Sequence, residues 1–174
     1  VADAVLSRDG RYRYHLSRRW GDGPQITFVM LNPSTADAHS DDRTLRRCIG
    51  FTRSWGYDGL TVVNLYALRS TDPAALWRAD DPIGPENDRH LADAAARSEL
   101  LVAAWGTHAR RERVQQVLAI PGFDRLTALR VTARGAPAHP LYLPRHLTPA
   151  PWRVPTPFAS AENSQRPSRP PEHP

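Results

Sequence analysis

The 174-residue chain has one cysteine and no lysine at all. A lone Cys48 excludes a disulfide framework, an all-cysteine zinc site and a cysteine-ligated iron–sulfur cluster. Without lysine there is no P-loop phosphate grip and no Schiff-base chemistry. No apolar run approaches the roughly 18 to 20 residues that a membrane span requires, so no membrane partner is expected. The first fourteen residues (VADAVLSRDGRYRY) lack the basic-then-apolar pattern of a secretory leader. A cytoplasmic protein is the expectation.

What is present fits one soluble globular domain: 40% of residues are apolar and 24% charged. All 23 basic residues are arginine, giving a net charge of +5. Together with the many Ala and Pro residues, this usage reads as genome composition more than as a nucleic-acid signature. Arginine's planar fork nevertheless suits phosphate, so a nucleic-acid partner stays open. From residue 151 the chain holds seven prolines in 24 residues and few core formers. Such a segment buries too little apolar surface to offset its ordering entropy, so 1–150 is read as a single domain and 151–174 as a flexible tail. Its PSRPPEHP end reads as a disordered terminus rather than a peptide ligand.

Within 1–150, strand-like and helix-like stretches alternate. Residues 11–16 (RYRYHL) have period two and suit a strand at a sheet edge. The runs 26–31 (ITFVML), 60–65 (LTVVNL) and 99–104 (ELLVAA) are continuously apolar, as strands buried on both faces are. Residues 126–132 form a fourth candidate of this kind. Helices are predicted over 41–55, 73–77, 85–98 and 107–118. This order points to an α/β fold, a three-layer α/β/α sandwich around a mostly parallel sheet.

Ligands in such sheets bind beyond the carboxyl ends of the strands. Each predicted strand there runs into polar or conformationally special residues: Asn32-Pro33-Ser34-Thr35-Ala36-Asp37, then Asn64 to Thr71, Trp105-Gly106-Thr107-His108, and His139-Pro140-Leu141-Tyr142. Taken alone, NPST is a turn and cap sequence. Asn64 sits in an apolar run, where a buried amide without partners costs about 1–3 kcal/mol, so binding and backbone-satisfying roles are both open. Trp105 reads as a core aromatic before a turn. His139, flanked by Ala138 and Pro140, is either a structural staple or an electrophile aimed into the cleft. His15, His90, His146 and His173 read as surface residues. His39, Asp41 and Asp42 lie close in sequence but match no metal-binding spacing, and Asp41-Asp42 suits a helix start, so no metal or other cofactor is expected. There is no GxSxG elbow around Ser34 for a nucleophilic triad.

Read together, these motifs resemble the DUF1643 family. The resemblance runs through LNPSTAD (31–37), DDRTLRRC (41–48), WGYDGLTVVNLYALRSTDP (55–73), DPIGPEND (81–88), AWGTHA (104–109) and HPLYLP (139–144). That family tends to carry a lysine shortly before HPLYL, where this chain has TARGAP and offers Arg134 instead. More distantly, the ordered signature is similar to the uracil-DNA glycosylase superfamily, which implies a three-layer α/β fold. That resemblance makes Asn32 the residue that positions the attacking water and Asn64 the reader of the extruded base. It assigns His139 as the electrophile and Leu141 as a wedge in the duplex. Asp37 joins Asn32 and His139 as a catalytic candidate and, with Asp42 and Thr44, orders the first loop. Pro33, Ser34, Thr35, Tyr66, Trp105, Gly106, His108 and Tyr142 complete the expected substrate surface, with Tyr66 or Phe28 supplying an aromatic face.

A glycosylase must take the base out of the stack and hold its Watson–Crick edge. A preorganised donor at the departing base contributes about 2.7–4 kcal/mol, the service expected of His139. The absence of lysine implies a monofunctional enzyme without lyase activity. The function expected is therefore a DNA-repair hydrolase that cleaves the N-glycosidic bond of a modified or mismatched base, with DNA as partner. Two alternatives stand beside it: a hydrolase of a free nucleoside or nucleotide derivative, and a non-catalytic nucleic-acid or ligand-binding module.

Overall fold

In the computed structural model, which describes residues 1–34, 36 and 40–155, seven strands form one mixed sheet. The strands are β1 (Ala2–Leu6), β2 (Arg13–Arg19), β3 (Gln25–Met30), β4 (Gly59–Asn64), β5 (Leu100–Ala103), β6 (Thr127–Ala128) and β7 (Ala150–Pro151), in spatial order β1-β2-β4-β3-β5-β6-β7. The four central strands β4-β3-β5-β6 are mutually parallel, while β1, β2 and β7 join antiparallel at the flanks.

Alternation along the central strands splits the core into two layers. Ile26, Phe28 and Met30 of β3, with Leu60 and Val62 of β4, pack under helix α1 (Arg43–Ser54). Val29, Val63, Leu101 and Ala103 face the other way, toward α2 (Asn87–Arg97) and α3 (Arg111–Leu118). Burying each such side chain stabilises the fold by about 1.5–3 kcal/mol. The chain moves one way along the sheet from β3 to β4, and the opposite way from β4 to β5 and β5 to β6. Crossovers of one hand then require helices on opposite faces. That requirement gives the three layers and places the crevice where β3 and β5 diverge.

Helix α1 forms because Asp42 caps it, its carboxylate accepting from the Leu45 N–H at 2.7 Å, and because Leu45, Cys48, Phe51 and Thr52 recur on one face. Helix α2 is preceded by a turn in which Gly84 has φ +90°, and a Cβ there would stand 2.9 Å from the Tyr12 ring.

Several sequence expectations shift. The strand expected at 11–16 runs 13–19 and lies inside the sheet, because β1, whose ADAVL pattern carries little alternation, pairs outside it. The strand expected over 126–132 pairs with β5 for two residues only, since beyond it Arg130 and Thr132 turn to bond Ala138 and Ala136. The helix expected from 107 begins at Arg111 because the chain first passes through Gly106 at φ +75°. Pro151 belongs to β7, and Trp152 is buried against Trp105 with ring centroids 5.1 Å apart, so the packed domain continues past residue 150. His90, expected at the surface, is half-buried and stacks on Tyr14 at 4.8 Å. Among the described residues, no helix is long and apolar enough to cross a membrane.

Candidate functional site

A cavity of about 480 Å³ opens at the carboxyl ends of β3, β4 and β5, between the sheet and α1. Asn32, Ser34, Asn64, Trp105, Gly106, His108 and His139 all line it. Local backbone bonds explain the convergence. Past β3 and β4 the two chains stay laced: the Tyr66 N–H donates to the Leu31 carbonyl and the Ser70 N–H to the Pro33 carbonyl. The Gly106 N–H donates to the Pro137 carbonyl at 2.9 Å, which draws the segment before His139 onto the end of β5.

Asn32 Nδ2 donates to three carbonyls, those of Pro33, Leu68 and Ser70, with the Ser70 contact at 2.9 Å. This fixes the amide plane and leaves Oδ1 as the group available to a ligand or water. Asn64 behaves in the opposite way. It is 1% exposed, its Nδ2 is sealed from solvent, and no hydrogen bond among the described residues engages its side-chain amide. Its main chain is held instead: Asn87 Nδ2 donates to the carbonyls of Asn64 and Leu65 at 3.0 and 3.2 Å, and Arg113 Nε to Leu65 at 2.8 Å. The strand end is braced while its amide is left unsatisfied, an arrangement that favours a ligand over a structural role.

His139 stands exposed at the mouth, ahead of the 3-10 turn Pro140–Tyr142. Its Nδ1 accepts from the Leu141 N–H at 3.3 Å, so the neutral ring carries its proton on Nε2. Desolvation by the surrounding wall holds its pKa below the usual histidine value, opposed by the Asp42 carboxylate. The lowered pKa favours the neutral ring, which donates through Nε2. Asp42 Oδ2 also accepts from the Ser34 hydroxyl at 3.0 Å, tying the Asn32 loop to α1.

Other expected site residues lie elsewhere. Tyr66 is buried on the α2/α3 side, edge-on to Trp77, because the alternation that aims Asn64 into the cavity ends with β4. Phe28 is sealed beneath Trp55. Neither offers a face to the cavity, and the Trp105 ring, though its residue borders the cavity, packs on the α2/α3 side against Trp152. Pro33 is buried and contributes its carbonyl to the loop. Leu141 lines a neighbouring concavity, and Tyr142 is 80% exposed. Thr35, Asp37 and His39 lie outside the described residues.

Sequence reading missed Arg13, whose guanidinium is buried at the cavity wall and donates to the Ala36 carbonyl. An arginine at an inward position of the RYRYHL alternation was the available signal. Asp41 is engaged by Arg18 Nε and Nη2 at 2.9 and 2.7 Å, and Asp42 by the helix cap, so both acidic groups at this helix start already serve the fold.

Fold and site together define an α/β domain with a cavity at the carboxyl edge of its parallel strands. The chain belongs to the DUF1643 family, described as "Protein of unknown function (DUF1643)", which it matches over residues 13–141. That span holds every cavity-lining residue named above. No match was found among curated proteins or among solved structures.

Proposed function

We propose that this protein is a monofunctional DNA glycosylase with the architecture of the uracil-DNA glycosylase superfamily, hydrolysing the bond between a modified or mismatched base and its deoxyribose. The observation that carries this reading is the meeting of Asn32, Asn64 and His139 at one cavity from three separate segments. The unsatisfied amide of Asn64 reads the polar edge of the extruded base, and Met30, Leu45 and Val62 supply apolar wall against its faces. As the glycosidic bond breaks, its electron pair leaves with the base, and His139 Nε2–H donates to the oxygen or nitrogen where that charge gathers. Asn32 Oδ1 accepts a hydrogen bond from the water whose oxygen bonds to C1′, and one water proton stays on the new hydroxyl. The water's second proton ends on the base. No lysine stands by to form a Schiff base, so the product is an intact abasic site.

Incubation with oligonucleotides carrying a panel of altered bases, assayed for abasic sites, tests this. Asn32→Ala and His139→Ala each lower the rate by about 10²- to 10³-fold. Full activity in both variants overturns the site assignment. Release of base from free nucleosides but from no oligonucleotide overturns the choice of DNA.

A further inference from the structure

On the far side of α1 from the cavity lies a second concavity, lined by Arg43, Arg46, Arg47 and Arg145 with Phe51 and Leu141. No acidic residue lines it, and among the described residues none of the four arginines makes a salt bridge. Four arginines elsewhere are salt-bridged: Arg18 with Asp41, Arg78 with Asp72, Arg89 with Glu86 and Arg113 with Asp88. Arg43 opens α1, where positive charge opposes the helix dipole, and Arg46 and Arg47 follow on the same side of the helix. Arg47 is held by its bond to the Leu143 carbonyl and its stack on the Phe51 ring at 4.9 Å, yet its Nε is buried without a partner. What sets the cluster apart is that four guanidinium groups share one concavity with no carboxylate in its wall, one of them with a buried Nε left over for an anion.

The same helix separates this cluster from the cavity. Leu45 and Cys48 face the cavity while Arg43, Arg46 and Arg47 face the concavity, and the 139–143 turn borders both. The two are therefore about one helix diameter apart, roughly 10 Å. We propose that the arginine concavity binds the phosphodiester backbone of the strand whose base occupies the cavity. Resting on the glycosylase reading, this makes the substrate a polymer rather than a free nucleoside. Arg46 and Arg47 are partly committed to backbone carbonyls, so Arg43 and Arg145, both exposed, are the two free guanidinium groups.

The test is the salt dependence of binding to a fluorescein-labelled single-stranded oligonucleotide, measured with the full chain by anisotropy. Each lost phosphate contact lowers the log–log slope by about 0.7, so the pair Arg43→Gln with Arg145→Gln flattens it by about 1.4. A control pair, Arg8→Gln with Arg97→Gln, removes the same charge from elsewhere and leaves the slope as in the wild type. Melting curves of both pairs verify folding. An unchanged slope in the first pair, equal flattening in the control, or no oligonucleotide binding at low salt overturns the proposal. So does displacement of the oligonucleotide by inorganic phosphate at equal phosphate concentration, which marks a small-anion site. Arginine-dependent binding without base release would leave this inference standing and remove the glycosylase chemistry. Base release indifferent to the first pair does the reverse.

Discussion

Asn64→Leu separates a structural amide from a functional one by the sign of its effect on stability. In the wild type, Nδ2 is buried without a partner, and such a group costs about 1–3 kcal/mol relative to its hydrated state. Leucine is close to asparagine in shape and removes both polar atoms. It also faces Leu45, Cys48 and Val62 across a cavity with room for its methyls. The bonds from Asn87 reach the main chain of Asn64 and Leu65, so the substitution leaves them in place. A gain of about 1–3 kcal/mol follows. A domain of this size melts roughly 2–4 °C higher per kcal/mol, which puts the rise within reach of ordinary calorimetry. Base release, by contrast, falls to background, because the edge-reading group is gone. A variant that loses 1 kcal/mol or more, or that is stabilised yet releases base at the wild-type rate, refutes the reasoning.

Removing the helix cap with Asp42→Ala costs about 0.5–2 kcal/mol in denaturant titration. It also removes the carboxylate that raises the His139 pKa, so the imidazole titrates at still lower pH, measurable by NMR of the ring Cε1 proton. Asn87→Ala takes the side-chain donor from the buried Asn64 carbonyl, while Leu65 keeps its bond from Arg113, and destabilises by about 1–3 kcal/mol, with faster exchange of the amides past Asn64. A loss of stability in acid is expected from His90, whose folded pKa is depressed mainly by burial, helped by Arg89 and His15 and opposed by Glu86 and Asp93. The unfolded chain then binds more protons than the folded one below about pH 6.5, so stability falls as pH drops through that value. His90→Gln makes the melting temperature less sensitive to pH between neutrality and pH 5; an identical pH profile rules out the assignment.

The central sheet was legible because strands buried on both faces write themselves as continuous apolar runs, and ITFVML and LTVVNL leave no competing period. The flanking strands β1 and β7 were not, since they are short or exposed and take their pairing from neighbours rather than from their own pattern. The site divides along the same line. Residues at the ends of buried strands, Asn32, Asn64 and Trp105, could be placed because parallel strands carry their ends to one edge. His139 lies beyond the last predicted strand, and what brings it in is a backbone bond from Gly106 to Pro137, a contact with no periodic trace. Tyr66, which the resemblance placed in the site, lies past the end of β4 and turns to the other side of the sheet.

The DPIGPEND segment carries the same lesson into function. Its residues stood out in the sequence without a role. In the fold, Asp81 takes the N–H groups of Ile83 and Gly84 at 3.0 and 2.9 Å, and Asn87 then clamps the two carbonyls that end β4. Such a brace is what an amide left unsatisfied at Asn64 requires. A braced strand end keeps the Asn64 amide at one fixed place in the cavity wall, which the proposed reading of a base by that amide needs.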